Sequence, residues 1–122
     1  MNRALVEAAK EGDLYVAGFM LLCGADANAF NGEALRQAAY GGHHDIVYFL
    51  LKYGADVHVI GDWPLRWAAG KGHLETVKIL VAFGADLVAW GGDALDRAAH
   101  GGHDTVVRFL REAMGLSQEA EL

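Results

Sequence analysis

Leu65-Arg66-Trp67-Ala68-Ala69-Gly70-Lys71-Gly72-His73, followed after a helical run by Gly84-Ala85-Asp86, is the stretch that decides the fold. Thirty residues earlier the chain reads Ala38-Ala39-Tyr40-Gly41-Gly42-His43 and then Gly54-Ala55-Asp56. Thirty residues later it reads Ala98-Ala99-His100-Gly101-Gly102-His103. A further copy, Ala8-Ala9-Lys10-Glu11-Gly12-Asp13 with Gly24-Ala25-Asp26, stands at the start. Copies at one fixed spacing define a repeat array, with repeats at 1–30, 31–60, 61–90 and 91–116 in a single domain. Residues 117–122 leave the pattern and read as a polar, acidic tail.

Within each copy the apolar residues fall at helical spacing. Leu5, Ala8 and Ala9 share one face, as do Leu35, Ala38 and Ala39 in the next repeat. A glycine ends that first helix, and Asp13 is suited to cap the second helix of repeat one. The second helices run through Val16, Ala17, Met20 and Leu21, then Ile46, Val47, Leu50 and Leu51, with matching sets in the later repeats. Gly24, Gly54 and Gly84 stop them. The small alanine pairs allow neighbouring helices to approach closely. Neither helix of a pair buries its apolar face alone, so the pairs must stack into a continuous core. The expected fold is all-α, a solenoid of four helix–turn–helix repeats.

Composition narrows the functional classes. The chain has 122 residues, 53% of them apolar, and a net charge of −6, with no basic face. This argues against nucleic acid or an anionic membrane as partner. No apolar run is long enough to span a bilayer, and no secretory signal is evident at the start. Cys23 is the single cysteine, which excludes an internal disulfide and fits a reducing, cytoplasmic setting. No Ser/His/Asp arrangement, phosphate-cradling loop or paired carboxylates stand apart from the repeat pattern, so neither catalysis nor a cofactor is expected.

The block Leu-x-x-Ala-Ala-x-x-Gly-His, followed by a helix and Gly-Ala-Asp, resembles the ankyrin repeat, over residues 1 to about 116. Two departures stand out. The family's Thr-Pro-Leu-His start reads Glu33-Ala34-Leu35-Arg36, Trp63-Pro64-Leu65-Arg66 and Asp93-Ala94-Leu95-Asp96, which leaves Asp93 and Asp62 as replacement helix caps. The period is also shorter than the family's usual 33, so the projecting hairpin should shrink to a short loop with little or no strand. The Ala-Leu-Arg start with a short loop resembles the ankyrin variants of large DNA viruses and some protists, and a viral source would place the protein in host cytoplasm. The resemblance implies a non-enzymatic protein–protein interaction module, binding on a concave side through loop tips and first helices, as an adaptor or a stand-alone blocker.

Particular residues are candidates for that work. Phe30, Ile60 and Trp90 occupy one position in successive loops, and stacking at about 10 Å per repeat would align them as an apolar column. The alternative is that each folds back to cover its own loop. Trp63, Tyr40, Arg36 and Arg66 would form an aromatic–arginine patch beside it, with Trp67 packed between repeats. Aromatic and arginine residues are enriched at interface cores. His43, His73 and His103 match histidines that link neighbouring turns in the family. His43, His44 and Cys23, with Asp45 beside them, form the one set that could suggest a metal or enzymatic site. Tyr15, Gly18 and Leu22 sit at outward positions of the first repeat, on the N-terminal flank of the array, where the last repeat's flank has polar residues. They suggest self-association, the alternative being a homo-oligomeric repeat protein.

Overall fold

Asp13 begins the second helix of repeat one as its side chain type predicts: the carboxylate accepts a hydrogen bond from the Val16 amide at 3.1 Å. A computed structural model describes residues 1–116. Among these residues eight helices follow one another and no strand occurs: α1 (Asn2–Glu11), α2 (Leu14–Leu22), α3 (Ala29–Tyr40), α4 (His44–Lys52), α5 (Val59–Lys71), α6 (Leu74–Ala82), α7 (Ala89–His100) and α8 (Asp104–Ala113). The 117–122 tail lies outside the described residues.

The odd-numbered helices stack closely on one another, and the even-numbered helices form a looser second layer. The first helices of the repeats therefore make one layer and the second helices the other. The alanine pairs explain the close inner stacking. Ala9, Ala39 and Ala69 are fully buried against the next repeat, while Ala99 is exposed because no first helix follows α7 among the described residues. Leu35, Leu50, Leu65 and Leu80 fill the space between layers with no exposure.

Histidines lock the repeats in register. His73 Nε2 meets the Tyr40 carbonyl and His103 Nε2 meets the Gly70 carbonyl, each at 3.0 Å. Each ring lies on the turn glycine of the preceding repeat. A methyl group at Gly72 would stand 2.5 Å from the His103 ring, and the backbone there has φ +78. Glycine is thus required twice at this turn, by conformation and by space.

Gly-Ala-Asp is explained by the aspartate. Asp26, Asp56 and Asp86 each accept from the amide two residues on, at 2.9, 2.9 and 3.0 Å. The aspartate amides are held in turn by Asn2, Asn28 and Asp62. The Asn28 amide also donates to the Gly54 carbonyl, tying one loop to the next.

The shortened loop holds a feature the sequence reading did not anticipate. Phe30-Asn31-Gly32, Ile60-Gly61-Asp62 and Trp90-Gly91-Gly92 are each a three-residue left-handed turn at the start of a first helix, with φ from +48 to +87. Left-handed residues with a side chain cost about 1–2 kcal/mol each. Gly, Asn or Asp fill the second and third positions, which lowers that cost. In the first two turns an arginine further down the helix supplies compensation. Arg36 donates to the Asn31 and Phe30 carbonyls at 3.2 and 3.3 Å, and Arg66 to the Gly61 and Ile60 carbonyls at 3.0 and 3.2 Å. Asp96 stands at the equivalent position in repeat four, and that turn has two glycines instead.

The replacement caps expected at Asp62 and Asp93 are not formed. Asp62 accepts from the Asp86 amide and pairs with His58, and Asp93 accepts from Arg66 and Arg97. The left-handed turn removes the extended entry that a capping aspartate requires.

Candidate partner-binding surfaces

Trp63 and Trp67 lie one turn apart on α5, and Tyr40 at the end of α3 closes on both. The ring centroids are 5.5 Å apart for the two tryptophans, and Tyr40 is 6.3 and 5.9 Å from them. All three keep part of their surface in solvent. Cations from three helices surround this cluster. Arg36 lies 5.7 Å over Trp63, Lys71 4.8 Å over Tyr40 and Arg97 4.4 Å over Trp67. An open hollow of about 360 Å³ beside it is lined by Trp67, Gly70, Lys71, Arg97, His100 and Gly101.

Arg36, Tyr40 and Trp63 therefore come together as the sequence spacing suggests. Trp67 and Lys71 join them, and Arg97 comes from the next repeat. Helix spacing could have identified Lys71, one turn beyond Trp67, but Arg97 depends on the stacking of α7 on α5. Arg66 does not join the exposed patch. It is only 6% exposed, caps the Ile60 turn, and reaches Asp93 at 3.3 Å. Asp93 is partly buried, which opposes its ionisation, but hydrogen bonds from Arg97 and Arg66 outweigh this and hold its carboxyl below the ordinary value.

Phe30, Ile60 and Trp90 lie at the left-handed turns, 47%, 49% and 72% exposed. Phe30 lies under the Arg3 guanidinium at 4.1 Å, and Trp90 under that of Arg66 at 4.7 Å. The Trp90 indole edge also rests on Gly61, where a methyl group would come within 2.4 Å. Phe30 and Trp90 each thus lie against the preceding first helix, α1 or α5, with one side and keep another side in water. Arg36 joins the two groups, since it holds the Phe30 turn and reaches Trp63.

His58 and Asp62 form a polar pair at the same loop edge, with His58 Nδ1 2.9 Å from Asp62 Oδ1. This hydrogen bond outweighs desolvation and, with the charges of Asp62, Asp56 and Asp86, raises the His58 pKa.

On the outer layer an open groove of about 490 Å³ is lined by Leu14, Tyr15, Gly18, Phe19, Leu22, Phe49 and Tyr53. Tyr15 is 90% exposed, Leu22 72% and Phe19 60%. Tyr15, Gly18 and Leu22 do not line the open end of the array, where their sequence positions suggest them. Their equivalents Asp45, Tyr48 and Lys52 are exposed although repeat two has a neighbour on each side. The stripe therefore faces outward. The end of the stack is instead marked by Val16 and Met20, whose equivalents Ile46 and Leu50 are buried.

His44 Nε2 lies 3.3 Å from Asp45 Oδ1, and Cys23 is exposed. Among the described residues no three His, Cys, Asp or Glu side chains gather in a metal-binding group.

The stacked helix pairs with inter-repeat histidines define a helical repeat solenoid. Residues 5–89 and 35–120 match the family described as ankyrin repeats (3 copies). The chain belongs to the ankyrin-repeat family. No curated protein matches it. Proteins of this family are generally protein–protein interaction modules. Among the described residues no helix is long and apolar enough to cross a membrane.

Proposed function

We propose that the chain is a non-enzymatic binding module whose concave face takes an acidic protein segment carrying an apolar anchor. The observation that carries this reading is the Tyr40–Trp63–Trp67 cluster, ringed by Arg36, Lys71 and Arg97 in a chain of net charge −6. The aromatic faces receive the anchor, and the cations receive carboxylates of the partner. Phe30, Ile60 and Trp90 extend the contact along the loop edge, and Arg66 supports it by fixing the Ile60 turn. The inter-repeat hydrogen bonds fix the helices beforehand, so little ordering entropy is lost on binding.

The protein acts as an adaptor or blocker by occupying this partner segment. It works without nucleic acid, membrane or cofactor, in a reducing compartment that suits the exposed Cys23 thiol. Selection from a random displayed-peptide library tests the reading. Enriched peptides should be acidic with an aromatic or aliphatic anchor, and Trp63→Ala should weaken them about 10-fold or more. Lys71→Glu should shift the enriched pool away from acidic sequences. Basic or uncharged winners, insensitive to both substitutions, would contradict it.

A further inference from the structure

We infer that the outer face of α2 is a self-association surface, on which a second copy of this chain docks by a two-fold crossing centred on Gly18. The same outward stripe is polar or mixed in the other repeats. It reads Asp45-Tyr48-Lys52 in repeat two, Glu75-Lys78-Ala82 in repeat three and Thr105-Arg108-Glu112 in repeat four, all exposed. In repeat one it is Tyr15, Gly18 and Leu22, and α2 has no charged residue along its length. A helix apolar on all sides is ordinarily covered on all sides. A further repeat stacked on α2 would cover Val16 and Met20 and leave this stripe in water, so the array itself cannot supply the cover.

Gly18 points to the kind of contact. It lies inside a helix, where glycine is unfavourable, and its backbone is not left-handed. A methyl group there would meet nothing within 4 Å among the described residues. No contact among the described residues therefore accounts for glycine at this position, whereas close approach of an outside helix does.

The surface is also complementary to itself. Tyr15 projects as a knob one turn before the Gly18 notch, and Leu22 follows one turn after it. A two-fold axis at Gly18 brings Tyr15 of each copy toward Leu22 of the other, with Phe19 and Phe49 flooring the groove. No like charges from α2 oppose each other across the axis. Exposed side-chain surface of Tyr15, Phe19, Leu22, Phe49 and Tyr53 amounts to about 600 Å², given the large area of each aromatic ring. Full coverage in both copies would bury at most about 1,200 Å², the lower edge for a specific complex, which fits a weak, reversible dimer.

Sedimentation of the whole chain from micromolar to millimolar concentration tests this. The mass should rise from one 13.1 kDa chain toward twice that value and no further. Tyr15→Lys and Leu22→Lys should each hold it at one chain with unchanged helical circular dichroism, since both side chains lie outside the core. Gly18→Ala gives the sharper test. It should make the single chain melt higher, through better helix propensity, while weakening association at least 10-fold. A wild-type chain that stays single throughout, a mass growing beyond two, or association unchanged in Gly18→Ala and Tyr15→Lys would overturn the inference. Peptide binding at Trp63 is read separately and does not depend on the result.

Discussion

Helices α2 and α8 hold the same place in the first and last repeats, yet they meet water in opposite ways. On its outward stripe α8 carries Thr105, Arg108 and Glu112, where α2 carries Tyr15, Gly18 and Leu22. Their buried residues differ as well, Ala17 and Leu21 against Val106 and Leu110. That second difference follows from position alone: each end helix buries the side facing its single neighbour, and middle helix α4 buries both sides. The first difference has no such cause. Stacking sets which residues of a repeat are core, but leaves the outward stripe to solubility and to binding.

The contrast can be broken most severely in the core. Leu50→Ala removes a side chain with no exposure and should lower stability by about 2–5 kcal/mol in chemical denaturation. Leu22→Ala, on the outward stripe, should stay within about 0.5 kcal/mol. Equal losses at the two sites would mean that the stripe is structural.

Two glycines sharpen the same comparison. Gly72→Ala must adopt φ +78 against the His103 ring and should lose about 1–2 kcal/mol or more. Gly18→Ala lies in open helix and should gain up to about 1 kcal/mol in the single chain. Thermal melting at low protein concentration reads both, and the signs should be opposite.

Arg66→Met tests the left-handed turns. It removes the donors to the Ile60 and Gly61 carbonyls and one of the two arginine partners of Asp93, and should cost about 1–3 kcal/mol. Amide hydrogen exchange should show the loss concentrated at residues 59–66. A loss spread evenly over the chain would contradict the capping role.

The smallest effect is electrostatic. Folding raises the His58 pKa above its ordinary 6.5, so its contribution is fully present below that value. It fades as pH rises through the higher folded value. The His58 side chain is 55% exposed, so solvent screens the effect. His58→Asn, the residue of repeat one at this position, should flatten the pH dependence of stability in that window. A wild-type curve already flat there would contradict the pairing.

The repeats were legible because spacing is a one-dimensional signal. The alanine pairs, the turn glycines and the inter-repeat histidines recur thirty residues apart, and the structure forms the expected links at His73 and His103. The left-handed turns were not legible. Their first residues are Phe30, Ile60 and Trp90, which disfavour that conformation, and the arginines that hold two of the turns act from six residues away. Capping roles for Asp62 and Asp93 failed for the same reason, since the turn redirects both carboxylates. The candidate patch was half legible. Arg36 and Tyr40 could be grouped by helix spacing and Trp63 added by the repeat offset, whereas Arg97 and the burial of Arg66 depend on how α7 lies on α5. Tyr15 and Leu22 were legible as unusual, but whether they face the end or the outside depends on helix rotation within the stack.

The most direct test of the account exchanges one stripe for the other. Tyr15→Thr, Gly18→Arg and Leu22→Glu together give α2 the outward residues of α8. Sedimentation velocity of this triple variant at the highest attainable concentration is the measurement. The account predicts a folded single chain where the wild type forms a pair. A variant that still pairs would contradict it, as would one that loses its cooperative melt.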